Sequence, residues 1–201
     1  MEVLSFKTAN CKDCYKCIRE CPIKAIRVKD RQAQIIPEEC ILCGRCVKIC
    51  PQNAKQVRDD VPRVKEMMKS GKKVVASLAP SYIAAFDTDG FTPIAEAIKK
   101  LGFADVQETA AGANVVKREY ERLIRERQPV IICSCCHSVI RLIQKYHIGC
   151  LPYIAKVLSP MDAHGRLMKE QYPDAEVVFI SPCISKKDEV DQYCKGESIS
   201  L

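Results

Sequence analysis

The chain has 201 residues, 47% of them hydrophobic, enough to bury the core of one ordinary domain with a small one beside it. No apolar run reaches the roughly 18 residues that a membrane span needs, and the start, MEVLSFKTAN, lacks the basic-then-apolar pattern of a signal peptide, so a cytoplasmic location is expected. The formal charge of +7 comes from basic residues interleaved with acids, which argues against nucleic acid as a partner; fourteen cysteines in a reducing compartment argue against a disulfide framework and for metal or cluster binding.

The first strand-like stretch is EVLSF, followed by an internal repeat. Cys11, Cys14, Cys17, Cys21 and Pro22 recur as Cys40, Cys43, Cys46, Cys50 and Pro51, every member 29 residues further on. The unit is C-x2-C-x2-C-x3-C-P. Three cysteines at two-residue intervals wrap one face of a cubane, and the fourth, carried away on a short helix, points to the other cluster. The spacing therefore predicts one 4Fe-4S cluster on Cys11, Cys14, Cys17 and Cys50, and a second on Cys40, Cys43, Cys46 and Cys21. Proline after the last cysteine ends the ligand loop and donates no competing backbone bond. Paired C-x2-C units also bind zinc, but the third cysteine, the C-P ending and the duplication weigh against it. AIRVK and AQIIP supply further short strands, with helices following Cys17 and Cys46. Residues 1–56 resemble the bacterial two-cluster 4Fe-4S ferredoxins, an α+β fold whose implied role is moving single electrons at low potential. Tyr15, beside a ligand, reads as a packing aromatic.

From Asp59 the pattern alternates between helix and strand. DDVPRVKEMMKSG has acidic capping residues, an early proline and a glycine stop, and so reads as a connecting helix within residues 57–72. Residues 73–201 then read as an α/β domain with a mainly parallel sheet. KKVVASLAP is a buried strand, TPIAEAIKKLG a helix, and ADVQETA a strand. ANVVKREYERLIRERQ is a long amphipathic helix with Val115, Tyr120, Leu123 and Ile124 expected inward. PVIICS is expected as a strand, followed by a helix from about Cys136, the helix MDAHGRLMKEQY, and the strand EVVFI ending in SPC. Ligands of open parallel sheets sit beyond the carboxyl ends of the strands. Cys133, Cys135 and Cys136 at one strand end, Cys183 at another and the LAPS segment at a third should therefore share one rim, with Lys186 nearby. A helix N-terminus at Cys136 would favour thiolate and an anionic cluster.

These residues carry a second resemblance. ICSCCHSV is similar to the T-S-C-C-P-G-W segment of the iron-only (di-iron) hydrogenases, and SPCISKKDE to their M-P-C-x-x-K-K segment. VVASLAPS, LGFADVQETAAGANVV and LSPMDAHGRLMKE follow the same family order between Lys73 and Gln192, and an N-terminal ferredoxin module is a common attachment there. The resemblance implies that Cys136 and Cys183 hold the cubane part of a third cluster with a di-iron subcluster. It implies that Cys135 passes protons to and from the di-iron centre, and that Lys186 hydrogen-bonds a cyanide ligand on iron. The implied reaction is reduction of two protons by two electrons to hydrogen, which needs single-electron delivery, a metal centre and a proton relay of suitable pKa.

The chain departs from that pattern. His137, Ser138 and Val139 replace proline, glycine and tryptophan; Ser181 replaces methionine; Cys133 replaces threonine. The family's remaining two cubane ligands come from a downstream segment that does not appear before Leu201, so either a missing C-terminal segment or a second subunit is expected to complete the site. A redox protein such as a ferredoxin or oxidoreductase is the expected electron partner. Two alternatives stand beside hydrogen chemistry. One is a non-catalytic electron-transfer, redox-sensing or cluster-assembly protein that keeps cubanes without di-iron; the other is a structural or zinc role for Cys133, Cys135 and Cys136. His137 reads equally as a surface residue or a proton carrier. His147 and Glu119 read as surface residues, and His164, Met161 and Met168 as packing residues. Cys150 reads as a buried hydrophobe, while Cys133 and Cys194 have no assigned role.

Overall fold

The computed structural model describes residues 3–193 and the backbone of residues 199–200; Cys194 lies outside the described residues. The N-terminal part consists of two antiparallel strand pairs. β1 (Leu4–Phe6) pairs with β4 (Lys55–Val57), and β2 (Ile26–Lys29) with β3 (Gln32–Ile35). The short helices α1 (Lys16–Glu20) and α2 (Arg45–Ile49) begin just before Cys17 and Cys46 and so contain them, rather than following them.

The sequence duplication is also a backbone duplication. Left-handed residues occur at Asp13 and Leu42, at Tyr15 and Gly44, and at Lys24 and Asn53, each pair separated by the same offset as the cysteines. Such bends turn successive amides toward a common concavity, the geometry that receives anions. β4 is the repeat counterpart of β2, but NAKQV lacks the apolar character of KAIRV, so hydrophobic patterning alone omits it.

The larger part is built on a parallel sheet of order β6-β5-β7-β8. β5 (Val74–Leu78) is central, flanked by β6 (Asp105–Glu108) and β7 (Glu176–Ile180), with the two-residue β8 (Ile199–Ser200) beside β7. Every residue of β5 is buried because both faces are covered, as parallel sheets require. Val74, Ala76, Leu78 and Val178 pack against α4 (Tyr82–Ala85), α5 (Phe91–Lys100) and the connecting helix α3 (Val61–Lys69). Val75, Val177 and Phe179 pack on the other face against Met161 and Met168 of α8 (Pro160–Gln171) and Val190 of α9 (Ile184–Tyr193).

Two sequence expectations are overturned here. The helix α6 (Ala110–Arg125) exposes Val115 and Ile124; Gly112, Val116 and Leu123 are its buried residues. The reason is that α6 meets α8 through Gly112, where a Cβ would lie 2.3 Å from the Pro160 carbonyl oxygen, and this close crossing sets the rotation of the helix. PVIICS also forms no sheet strand. Only Ile132 makes an isolated parallel bridge, to Ile154, and the segment lies outside the four-stranded sheet.

Candidate functional site

The N-terminal thiols fall into two neighbourhoods that cross the repeat. Cys21, Cys40, Cys43 and Cys46 line one cavity with Pro22, Ile41 and Gly44. On the other side Gln52 Oε1 accepts from both Cys14 Sγ at 3.6 Å and Cys50 Sγ at 3.9 Å, and Cys17 lies within the electrostatic reach of Cys50 and Cys14. Cys11 Sγ donates to Asp13 Oδ1 at 3.9 Å. The fourth cysteine of each run thus stands with members of the opposite run. All thirteen described cysteines are free thiols. Among the described residues no three Cys, His, Asp or Glu side chains close on a point that would hold a single ion; Cys21, Cys40, Cys43 and Cys46 instead border a shared cavity.

Their chemistry fits a cationic metal core. Burial pushes the Cys17 and Cys40 thiols up, and burial together with Cys40 and Cys43 pushes Cys46 up to about 12. A thiolate there needs a metal in place of its proton. At the same time backbone amides already point at sulfur: Leu42 N donates to Cys40 Sγ at 3.4 Å and Ala54 N to Cys50 Sγ at 3.3 Å. Cys50 is held below the usual thiol range because amide donors from Ala54, Gln52 and Lys55 outweigh the effect of burial. Hydrogen bonds to cluster sulfurs and net charge are the usual levers on cluster potential.

In the second region Cys133, Cys135 and Cys136 lie on an anchored loop. Ser134 fixes it: its amide and hydroxyl meet the Tyr120 hydroxyl at 2.8 and 2.9 Å, and its Oγ donates to the Val157 carbonyl at 2.6 Å. Cys136 is the extended N-cap of α7 (His137–Tyr146), exposed and without a side-chain capping bond, so it stands at the positive end of a helix that starts where the sequence predicts. Burial first, and then the neighbouring Cys133, push the Cys135 thiol up to about 11. Cys133 moves the other way: hydrogen bonds from Tyr120 and Cys135 outweigh its burial.

Cys135 and Lys186 are brought together, since Lys186 Nζ donates to the Cys135 carbonyl at 3.1 Å. Lys186 also pairs with Glu189 at 2.6 Å, both side chains about one-tenth exposed. Cys183, beyond β7 and just before α9, is exposed; its amide bonds Ser181 Oγ at 3.0 Å and its sulfur meets Ser185 Oγ at 3.3 Å. Cys183 and Ser138 of α7 line one open groove that also contains Cys43 and Gly44.

The two regions meet through the Cys40–Cys46 loop. Arg141 Nε donates to the Cys40 carbonyl at 3.3 Å, and Tyr146 Oη to the Glu39 carbonyl at 2.8 Å. Lys145 Nζ reaches the Glu38 carbonyl. Gly44 carries φ +75°, a backbone conformation that calls for glycine, and a Cβ there would sit 2.5 Å from Ile184 Cδ1, which marks how closely the Cys40–Cys46 loop approaches α9. At the other end Arg58 forks between Asp60 and Asp191 at 2.8 and 2.6 Å, while Lys187 also reaches Asp60.

Sequence reasoning missed the network behind Cys136. His137 is not a surface residue: it is 1% exposed, with Nε2 2.6 Å from Asp188 Oδ2, which also binds Arg141 at 2.6 Å. Cys150 is only half-buried, which corrects the expected buried position. His147 and Glu119 are exposed, Glu119 pairing with Arg122 at 3.0 Å. His164, Met161 and Met168 are buried, with His164 Nδ1 bonded to Ser77 Oγ at 2.7 Å, and Tyr15 packs against the Cys17 cluster.

Comparison with known families accords with this geometry. Residues 4–51 match the 4Fe-4S dicluster domain, and residues 72–198 match the iron only hydrogenase large subunit, C-terminal domain. Fold and thiols therefore define an iron-sulfur redox protein. Because the second match spans more than half of the chain, the chain belongs to the iron-only hydrogenase family, with a 4Fe-4S region ahead of the hydrogenase one. No helix is long and apolar enough to cross a membrane among the described residues.

Proposed function

We propose that the protein passes single electrons through two 4Fe-4S clusters toward a hydrogenase-type site. Cys11, Cys14, Cys17 and Cys50 hold the first cluster, and Cys40, Cys43, Cys46 and Cys21 the second, in a ferredoxin-like module of residues 1–56. A connecting helix lies within residues 57–72, and residues 73–201 form the partial hydrogenase-like domain. Cys136 and Cys183 hold the cubane of the third site, whose completed cluster would supply reduction of two protons to hydrogen. A ferredoxin or oxidoreductase supplies electrons from outside.

The observation that carries this reading is the groove shared by Cys43, Cys183 and Ser138, with Arg141 bonded to the Cys40 carbonyl. It supports an order of sites in which the second thiol set stands between the first and the Cys136–Cys183 region. Cys135 holds a proton at its sulfur, a role favoured by its upward-shifted thiol. Lys186, fixed by Glu189 and the Cys135 carbonyl, positions a cationic donor at the same place.

The test is iron and acid-labile sulfide content of anaerobically reconstituted protein, with electron paramagnetic resonance of the reduced state. About eight irons with two interacting cluster signals would give electron transfer without the third site, the non-catalytic alternative. About twelve irons, or hydrogen-dependent dye reduction after maturation, would give the hydrogenase-type reading. Fewer than eight irons in fully reconstituted protein would overturn both.

A further inference from the structure

Lys55 has no assigned role, yet its surroundings are unusual. It is 3% exposed, its ammonium group bonds the Ala33 carbonyl, and it lies 3.7 Å from the centroid of the Phe6 ring, its cross-strand partner. No carboxylate contacts it in the described structure. A buried ammonium without an anion is costly. Geometry places it beside the thiols: Ala33, whose carbonyl it bonds, lies in the buried cluster of Cys17 and Cys21, and the preceding residue, Ala54, donates its amide to Cys50 Sγ at 3.3 Å. Cys17, Cys11, Cys46 and Cys50, three thiols of the first set and one of the second, lie within its electrostatic reach.

The repeat sharpens the point. The residue 29 positions earlier is Ile26, 6% exposed in the apolar core that contains Cys17 and Cys21. One half of the duplication thus has an aliphatic side chain where the other has a cation. The repeat unit itself therefore does not call for a lysine at this register, although the neighbours differ: Ile26 pairs with Ile35 and Lys55 with Phe6.

We infer that Lys55 is a built-in counter-charge for the two cluster sites, positioned to raise the potential of both and to favour electron residence on the one held by Cys11, Cys14, Cys17 and Cys50. The inference rests on the two-cluster reading above. Each one-electron reduction, with the electron supplied by the external redox partner, adds one negative charge inside a thiolate cage. A fixed buried cation lowers the cost of that added charge in a low-dielectric setting, and does so more for the nearer cage. No proton moves and no bond changes; Lys55 acts through the sulfurs as a positioning residue.

The experiment compares the wild type with Lys55→Ile, the residue of the repeat, and Lys55→Gln, which keeps a donor for the Ala33 carbonyl but not the charge. Iron content is measured first, then both potentials by redox titration followed by electron paramagnetic resonance. The expected result is full iron with both potentials more negative in the two neutral variants, the larger shift in one of the two signals. That signal should be the one also perturbed by Cys14→Ser. Lys55→Arg should stay near wild type. Iron-replete neutral variants with unchanged potentials would overturn the inference. Should the neutral variants lose iron, retention in Lys55→Arg supports a charge role, and equal loss in Lys55→Arg overturns it. Failure of the wild type itself to hold two clusters would instead remove the reading beneath it.

Discussion

The crossing of α6 and α8 gives the sharpest test of how the hydrogenase-like part holds together. In Gly112→Ala the added methyl would stand 2.3 Å from the Pro160 carbonyl oxygen and 2.7 Å from His164 Cβ and N. Both contacts are with the first turns of α8, whose Met161 and Met168 are fully buried against the sheet. The helices must therefore part by about 1 Å to reach van der Waals contact. Overpacking of this kind costs about 1–3 kcal/mol, and loosening the 2.7 Å bond between His164 Nδ1 and Ser77 Oγ costs about 1 more. The higher helix propensity of alanine returns about 1 kcal/mol. The expected net loss is about 1–3 kcal/mol, seen as a fall of about 1 M in the urea midpoint for a slope of about 2 kcal/mol/M. Gly149→Ala, where an added Cβ meets nothing within 4 Å, should stay within about 0.5 kcal/mol of wild type. A Gly112→Ala protein as stable as wild type would refute the packing argument.

Three further outcomes follow from the same geometry. Arg58→Met removes one of the two cations of Asp60, 6% exposed, leaving Lys187, and unpairs Asp191; it should cost about 2 kcal/mol in thermal or urea unfolding while speeding proteolysis between residues 57 and 72, and unchanged proteolysis would argue against a clasp. Burial depresses His164 below its ordinary 6.5, so the unfolded chain binds the proton more readily; its stability contribution is full above about pH 6.5 and lost as pH falls below it, and His164→Gln should flatten that part of a urea-midpoint profile from pH 7.5 to 5. Cys136→Ser in reconstituted protein that carries a third cluster should remove about four irons and leave the two ferredoxin-type signals intact, whereas an unchanged iron count would sink its role as a ligand.

How much was legible depended on whether the signal was local. The C-x2-C-x2-C-x3-C-P repeat fixes the backbone bends and short helices of both halves, because those bends are set within a few residues of each cysteine. Most helices and the strands β5, β6 and β7 also follow from periodicity, as does the helix start at Cys136. The duplication held one more signal: projecting β2 forward by the repeat offset would have revealed β4, which hydrophobic pattern alone did not.

What the sequence by itself determined is the chemistry carried by the cysteines and the kind of fold that carries it. Only the tertiary structure decided which partners those residues have. Periodicity could not tell Val115 from Val116 as the buried residue of α6, because adjacent helical positions differ by about 100° and the close approach at Gly112 fixes the rotation. Nor could it bury His137 behind Asp188, bond Arg141 to the Cys40 carbonyl or bring Lys55 within electrostatic reach of four thiols. The first two pairings join residues 51 and 101 positions apart. Their energies depend on burial and distance, and neither exists until the chain has folded.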